Sequence, residues 1–512
     1  MIYLLWSLPT LILIAAIASG RVNTTNAAML GLVAAAAVAL ASAPNPLFDG
    51  GLLAHALLRG SWIGLTIAPY ILGGLIFWQV AAHKPASASA SASASASASA
   101  SASASASASA SQDAIASAQN GALPDRRLLF FACFLVGPFA ESATGFGVGM
   151  LGTVALIRGL GIAPRHLMIF ALMSQTFIPW GAMGSGTMLA AAYTRMPASE
   201  LGLYSVPLVG LLMLVWLPLF WRTAGKAGMK APASECAREA GWIVVSLGLL
   251  AAATFYLGPE TAMLATYGPL IVLRYVSDQR PDKKQFLTAA KRALPYVALI
   301  GVLVLTRLAP GVKGLLEGLG KMAPFADLPA WSPLFHAGSW LVIGGVLTAL
   351  LRKQPHILGK ETLAAWRTGK NAVFTVFLFA MMAEVLASAG ISRAFASGMF
   401  VALNDGAILF TPVLSSVFGI LANSGNAPNS LFMPSQLALA VQAGLSVLAV
   451  AAIQHVSGTS MSLFSPVRMS IAAGLSGGHG QERSVYVTLL PFAVTAVVLL
   501  TLSSLVVMFF LP

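Results

Sequence analysis

The chain has few charged residues. Of its 512 residues, 9% are Asp, Glu, Lys or Arg, whereas 57% are apolar. A soluble protein of this length needs more polar surface, so the composition excludes a soluble globular fold. Apolar runs of about 20 residues are long enough to cross the hydrocarbon core of a bilayer. They predict an all-α polytopic membrane protein with roughly 12 to 14 transmembrane helices.

Cysteine is also scarce. Cys133 and Cys236 are the only two, and both lie in or beside apolar segments, which excludes a disulfide framework and a thiolate metal site. The histidines lack metal-ligand spacing, and the GVGMLG run at 147–152 lacks the preceding strand and the following acidic residue of a dinucleotide site. We therefore expect no enzyme activity, no metal and no cofactor.

Lys and Arg are absent before the first apolar run, at 3–19. A cleavable signal peptide normally begins with positive charge, so we expect this run to be a retained span. The small residues at 15–19 keep cleavage open as the alternative.

Acidic residues are outnumbered, 16 against 29 basic ones, which gives a net charge of +13. The basic residues cluster between apolar runs, and two apparent crossings separate each cluster from the next. All three clusters can therefore face the cytoplasm, which makes the charge a topology signal and argues against nucleic-acid binding. The clusters are Arg222, Lys226, Lys230 and Arg238; Arg274, Arg280, Lys283, Lys284, Lys291 and Arg292; and Arg352, Lys353, Lys360, Arg367 and Lys370.

Two apolar stretches are interrupted by small and polar residues. They are GPFAESATGFG at 137–147 and NSGNAPNSLF at 423–432. Lipid cannot hydrogen-bond a backbone released from helix geometry, so such breaks persist at membrane depth only where they are buried or line a cavity. A corresponding pair of breaks indicates the binding site of a secondary transporter.

The two breaks belong to a weak internal repeat. Segments around 141, 159, 181 and Tyr204 match segments around 423, 443, 457 and Tyr486 at offsets of roughly 276 to 284 residues. We predict a first transmembrane repeat at 1–240, which contains a Ser/Ala low-complexity linker at 86–111, and a second at 241–512. The basic residues place equivalent elements on opposite sides of the membrane, so the repeats are expected to be inverted, with broken or re-entrant helices.

Two carboxylates lie inside apolar runs. A carboxyl group in hydrocarbon costs roughly 2.5 to 3.5 kcal/mol, and it usually marks an ion or proton route. Glu141 and Glu384 are therefore candidate proton-coupling residues, and a structural cap is the alternative for Glu141.

Short polar side chains accompany the breaks. The N–H groups at the start of a half-helix attract a carboxylate, which favours an anionic substrate. Each side chain has the alternative role of satisfying the broken backbone. The candidate substrate-binding residues here are Ser142, Thr144, Gly145, Asn423, Ser424, Asn426 and Asn429.

Two further broken stretches lie at 179–186 and 457–468. The second adds Ser457, Thr459 and Arg468 to the candidate substrate-binding residues. A guanidinium pairs with a carboxylate through two hydrogen bonds, so Arg468 is a candidate counter-charge for the substrate. Its alternative role is at a cytoplasmic helix end, where its side chain would extend to water.

These residues also resemble a known family. The 137–147 segment is similar to the GxFxEGAAGFG signature of the L-lactate permease family, and NSLF at 429–432 is similar to its second-half NALF. The segment from Ser465 and Pro466 to the GQER run at 480–483 looks like the family's last motif. Glu141, Gly145, Phe146, Gly147, Asn429, Ser465 and Pro466 occupy matching positions.

The chain departs from the family pattern at two positions. Gly425 stands where an acidic residue is expected, and Ser462 stands where a Lys is expected, for which Arg468 is a candidate replacement. The resemblance therefore indicates a divergent member.

The resemblance implies a multi-pass carrier of the bacterial cell inner membrane for lactate and related short 2-hydroxy monocarboxylates such as glycolate, driven by proton symport. The expected partners are the small organic anion, protons and membrane lipid. A sodium-coupled or exchange transporter of another organic anion is one alternative. A non-transporting membrane receptor or an embedded enzyme is the alternative from a different class.

Overall fold

The protein is helical throughout the part that the structure describes. The structure is a computed structural model that describes residues 2–82, 125–145 and 147–510. Within these ranges the helices are accompanied by a single isolated β-bridge, between Met322 and Trp331. The predicted all-α class is confirmed. The Ser/Ala linker at 86–111 and Phe146 lie outside the described residues.

The helices fall into two sets along the chain. The first set is α1 (Ile2–Ala18), α2 (Thr24–Ser42), α3 (Gly50–Ala82), α4 (Asp125–Phe131), α5 (Gly137–Thr144), α6 (Val148–Ile157), α7 (Pro164–Met173), α8 (Gly181–Thr194) and α9 (Ala198–Lys226). The second set is α10 (Ala233–Leu257), α11 (Pro259–Gln279), α12 (Lys283–Leu308), α13 (Pro310–Gly318), α14 (Ala337–Leu351), α15 (Ile357–Ser388), α16 (Ile391–Leu403), α17 (Phe410–Ala422), α18 (Asn426–Gln442), α19 (Val447–Met461), α20 (Pro466–Ser476) and α21 (Glu482–Phe510). A π-helical turn (Ala132–Val136) joins α4 to α5, and short 3-10 helices lie at Arg158–Leu160, Ile178–Trp180, Asn404–Leu409 and Ser462–Phe464.

The described residues form ten helices that are long and apolar enough to cross a membrane. An eleventh span results if α7 and the bent segment Ile178–Thr194, which meet at 59°, are counted together. The polytopic fold is confirmed, with fewer full-length spans than the expected 12 to 14. Three further apolar helices among the described residues have only 10 to 17 residues: α1, Val148–Leu160 and α14.

The first break forms the tip of a helical hairpin. α6 runs back along the helix that precedes it, since the Thr153 hydroxyl donates to the Ala132 carbonyl at 3.0 Å. Closer to the tip, a Cβ built on Gly149 would lie 2.5 Å from the Gly137 carbonyl oxygen. Pairing of 153 with 132 and of 149 with 137 is antiparallel. The chain therefore enters the protein interior, reverses between α5 and α6, where Gly145 and Gly147 lie, and returns.

The second break has the same shape. Phe418 of α17 and Phe432 of α18 stack edge to face with ring centroids 5.5 Å apart. Farther from the tip, the Thr411 hydroxyl of α17 donates to the side-chain carbonyl of Gln436 in α18. This pairing is again antiparallel, with the turn at 423–425.

The two hairpins are entered from opposite faces of the protein. α4 begins beside α10, where Arg126 donates two hydrogen bonds to the Glu239 carboxylate, and Arg238 nearby donates to Asp278 at 2.7 Å. We call this end of the helix bundle, where the first two basic clusters meet, the basic face. α15 starts from the basic face and ends at the opposite one, where α16 and α17 follow. The opposite entry fits the predicted inverted repeat, whereas the boundary at residue 240 stays a prediction.

α3 and α15 pack closely because their contact is built on glycine. A Cβ built on Gly60 would lie 2.3 Å from the Met381 Cα, and one on Gly64 would lie 2.6 Å from the Phe377 ring. Without a hydrophobic effect between helices in lipid, such close backbone approach supplies much of the packing energy.

We predict that Gly60→Ala destabilises the protein, because the new methyl group would meet the Met381 backbone, which cannot move without shifting α15. Overpacking of this kind costs about 1–3 kcal/mol. Gly248→Ala, at an exposed position of α10 with open space around it, is the control, and it should keep or slightly raise the thermal midpoint. Equal midpoints for the two variants in detergent would contradict the described packing.

Candidate functional site

The first break contains a buried carboxylate. Gly145 and Gly147 have φ values of +72° and +80°, a backbone region that L side chains rarely adopt. Glu141 is 4% exposed; its Oε1 accepts a hydrogen bond from the Gly147 N–H at 3.3 Å, and its Oε2 accepts one from the Gly149 N–H at 3.1 Å. These N–H groups at the start of α6 have no partner within the helix, so the carboxylate satisfies them and interacts favourably with the helix dipole.

The break between α19 and α20 contains a buried cation. The Arg468 guanidinium donates from Nε to the Asn423 side-chain carbonyl at 3.2 Å and from Nη1 to the Gln175 side-chain carbonyl at 2.7 Å. Asn423 also accepts a hydrogen bond from the Ser465 hydroxyl. No described residue accepts a hydrogen bond from Nη2 of Arg468. The arginine therefore joins the breaks at 423–425, 462–465 and 174–184 and keeps one donor nitrogen available.

Gln175 brings Glu141 and Arg468 to the same region. A Cβ built on Gly149 would lie 2.9 Å from Gln175 Nε2 and 3.0 Å from the Glu141 Cβ. No ion pair within 4.0 Å joins Glu141 to Arg468. A buried carboxylate and a buried guanidinium thus lie on either side of Gln175 without direct contact.

A second polar group lies beside this pair of charges. Asn429 donates to His455 Nδ1 at 2.9 Å and to the Gly186 carbonyl at 3.3 Å, and the Thr187 hydroxyl lies 2.9 Å from His455 Nε2. Asn429 and His455 are fully buried. The side-chain oxygen of Asn429 is buried and lacks a partner in the described part of the chain. The Ser457 hydroxyl is also buried without a partner, but Ser457 lies about 200° around α19 from His455 and so points away from this group. Unpaired buried acceptors and donors cost free energy, which favours a polar ligand here.

The break between α7 and α8 contacts both of the hairpins that carry these polar groups. Ala182, Met183 and Gly184 all have positive φ values, and a Cβ built on Gly145 would lie 3.0 Å from the Ala182 Cβ. One helical turn later, a Cβ on Gly186 would lie 3.4 Å from the Asn426 side-chain oxygen. The segment 174–186 is therefore in contact with both hairpin tips.

Other predicted binding residues bond to the backbone beside them. Ser142 and Thr144 donate to carbonyls of α5, and Thr459 donates to carbonyls of α19. The Ser424 hydroxyl accepts from the Asn426 N–H at the start of α18. These contacts fit the alternative that such side chains satisfy a broken backbone. Their predicted role in substrate binding stays a prediction.

Glu384 lies away from the breaks, in a network of four charges at the face opposite the basic face. Arg59 donates to Glu384 at 2.8 Å and binds Asp327 through two hydrogen bonds of 2.6 and 2.9 Å. Arg195, at the end of α8, pairs with Glu384 at 3.1 Å and with Asp327 at 3.2 Å. The network links α3, α15, the 319–336 loop and the end of α8.

The sequence analysis did not identify Gln175, His455 or Thr187 as site residues. Gln175 lies just before the 179–186 stretch, and His455 lies just before the 457–468 stretch. Their position beside a break was the available signal.

Several curated proteins are similar to the chain. The L-lactate permease of Salmonella typhi is 24% identical over 432 residues, covering 73% of this chain and 76% of that protein. The L-lactate permease of Bacillus subtilis (strain 168) is 23% identical over 443 residues, with 73% and 77% covered. The glycolate permease GlcA of Escherichia coli (strain K12) is 23% identical over 443 residues, with the same coverage. No protein-family model matches the chain.

The chain is a divergent relative of the L-lactate permeases. The resemblance predicted from its motifs is confirmed.

The departure at Gly425 has a structural reason: a Cβ there would lie 2.1 Å from the Thr459 Cγ2 and 2.9 Å from the Thr459 Cα. This lactate permease relative therefore has no room for the acidic side chain expected at 425. The Ser462 hydroxyl donates to the Thr459 carbonyl at 2.6 Å.

We predict that Asp327 contributes a pH-dependent part of the stability. Hydrogen bonds from Arg59 lower the pKa of this loop carboxylate to about 2. Its contribution is fully present above its unfolded-state pKa of about 3.9 and is lost as the pH falls towards 2. Because the side chain is half exposed, we expect at most about 1 kcal/mol. The thermal midpoint of the protein should exceed that of Asp327→Asn at pH 6, and the difference should shrink below pH 5. A difference independent of pH would contradict the prediction.

Proposed function

We propose that this protein is a secondary active transporter that takes up lactate or a related short 2-hydroxy monocarboxylate, such as glycolate, by proton symport. The proposed location is the bacterial cell inner membrane, with the basic face towards the cytoplasm. The names of the relatives support the substrate class. The single structural observation that carries the proposal is the buried Arg468, held between the breaks of both repeats with Nη2 unbonded.

Arg468 is the proposed anchor for the substrate carboxylate. A buried guanidinium loses its hydration and gains from any anion that reaches it, more so at low local dielectric. Asn423 and Gln175 contribute neutral oxygens, which orient the guanidinium without cancelling its charge. A carboxylate is the ligand group whose geometry matches a guanidinium edge. Asn429, whose side-chain oxygen is buried without a partner, is a proposed partner for the rest of the substrate.

Glu141 is the proposed carrier of the coupled proton. An ionised Glu141 and a bound substrate carboxylate are like charges that compete for the positive charge of Arg468. Like charges near one another disfavour joint ionisation, so substrate binding favours protonation of Glu141, and protonation favours substrate binding. This reciprocity is what thermodynamic linkage requires of coupled ligands.

The same proton is proposed to act on the hairpin tip. When Glu141 is protonated, its carboxyl group is neutral, and a neutral acceptor forms weaker hydrogen bonds with the Gly147 and Gly149 N–H groups than a carboxylate does. The turn at 145–147 then becomes easier to rearrange. A change at this tip would reach the second hairpin through Gly145, Ala182 and α8.

Glu384 is the second predicted proton-coupling residue. It pairs with Arg59 and Arg195, so within this proposal its role is to hold the four-charge network that links α3, α15 and the end of α8.

We predict that Arg468→Gln weakens lactate binding by about 10- to 100-fold, since hydrogen bonds to a charged group contribute about 1.5–3 kcal/mol. Binding is measured by calorimetry on the purified protein. Arg483→Gln, which removes an exposed arginine at the start of α21, is the matched control and should bind as the parent does. If the two variants bind lactate equally well, Arg468 is not the anchor.

We predict that Glu141→Gln uncouples transport from the pH gradient. In liposomes loaded with lactate, the variant should still exchange labelled lactate, whereas accumulation driven by an imposed gradient should be lost. Glu200→Gln, at an exposed position of α9, is the control and should accumulate lactate. Gradient-driven accumulation by Glu141→Gln would refute the proton-carrier role.

The alternative functions are tested separately. Uptake that falls when sodium is replaced with choline at fixed pH would indicate the sodium-coupled alternative. A protein that binds lactate but never moves it across the membrane would be a receptor.

A further inference from the structure

A cavity rich in cations lies apart from the breaks, where α7, α9 and α21 meet. It is lined by Arg165 and His166 of α7, Arg222, Thr223 and Lys226 of α9, Thr488 of α21, and Ile169. Arg222 and Lys226 belong to the first basic cluster, so the cavity opens at the basic face. No carboxylate is among its lining residues.

The positive charge of this cavity is not neutralised within the described part of the chain. Arg165, Arg222 and Lys226 form no ion pair among the described residues. Arg165 donates from Nη2 to the Thr488 hydroxyl at 2.6 Å, and its Nε is buried without a partner. Arg222 and Lys226 are exposed and Arg165 is half-buried, so the three cations face solvent around one concave surface. Such a cleft lined by charges of one sign attracts ions of the opposite sign.

We infer that this cavity binds a phosphate group. A phosphate offers several acceptor oxygens and at least one negative charge, which matches three cations better than a single carboxylate does. Arg165 would direct its unpaired Nε to the phosphate, and the Thr223 hydroxyl would donate a hydrogen bond. The Thr488 hydroxyl donates to the Ser484 carbonyl at 3.0 Å, so its part is to orient Arg165. Basic pockets between transmembrane helices at the cytoplasmic side are suited to phospholipid head groups.

The surroundings favour a phospholipid as the source of the phosphate. Beside Thr488, α21 exposes Val487, Leu490 and Val494, each more than half exposed. These positions lie on neighbouring turns of one helix face, leading from the cavity along the length of α21. An acyl chain can cover this apolar strip while its head group occupies the cavity.

The inference is tested with the purified full-length protein in detergent. Dioleoylphosphatidylglycerol should raise the thermal midpoint and appear as a retained adduct in native mass spectrometry, whereas dioleoylphosphatidylcholine should do so less. Inorganic phosphate forms a separate arm. Stabilisation by inorganic phosphate alone would support the phosphate site with a soluble ligand instead of a lipid.

The variant that removes the cations is Arg165→Gln with Arg222→Gln and Lys226→Gln. We expect its affinity for phosphatidylglycerol to fall by about fivefold for each charge removed. The matched control removes three exposed cations of the basic face, with Lys283→Gln, Lys284→Gln and Lys291→Gln. If the triple variant fails to fold, Arg222→Gln alone, at an exposed position, should still weaken binding about fivefold.

Two results would overturn the inference. One is the absence of stabilisation by both phosphatidylglycerol and phosphate. The other is an equal loss of affinity in the cavity variant and in the control. Neither result bears on lactate transport, because the cavity shares no residue with the Glu141 and Arg468 site.

Discussion

The hydrogen bonds from the Gly147 and Gly149 N–H groups to the Glu141 carboxylate are the interaction on which the site depends. Lipid offers no partner to a backbone that leaves helix geometry, and each unsatisfied group costs several kcal/mol. By accepting both N–H groups, Glu141 makes a turn possible in the protein interior. It also introduces a buried carboxylate, and the buried Arg468, which follows the break between α19 and α20, reaches the same region through its hydrogen bond to Gln175.

The positions of the breaks could be predicted from sequence, because Gly, Pro and short polar residues clustered inside an apolar run disfavour a continuous helix there. The 145–147 and 423–425 turns, the buried Glu141 and the link from Arg468 to a break all follow from such residues. The partners could not be predicted. Gln175 and His455 lie beside or within apolar helices, and only the three-dimensional packing shows that they contact Arg468 and Asn429.

The glycines explain why the chain resembles the lactate permease pattern at Gly145 and Gly147 but departs from it at Gly425. Gly145 and Gly147 need positive φ values for the turn, so the first motif keeps them. Gly425 instead packs directly on Thr459. An acidic residue in this position requires a different neighbour, so positions 425 and 459 must change together. Arg468 and Glu141 supply the charges of the site without it.

The central claim is that a carboxylate binds between the two repeats at Arg468. A cryo-electron microscopy map of the protein with bound lactate tests it most directly. The account predicts ligand density within hydrogen-bonding distance of Arg468 Nη2, between the turns at 145–147 and 423–425. Lactate density elsewhere in the protein, with continuous helices through these two segments, would contradict it.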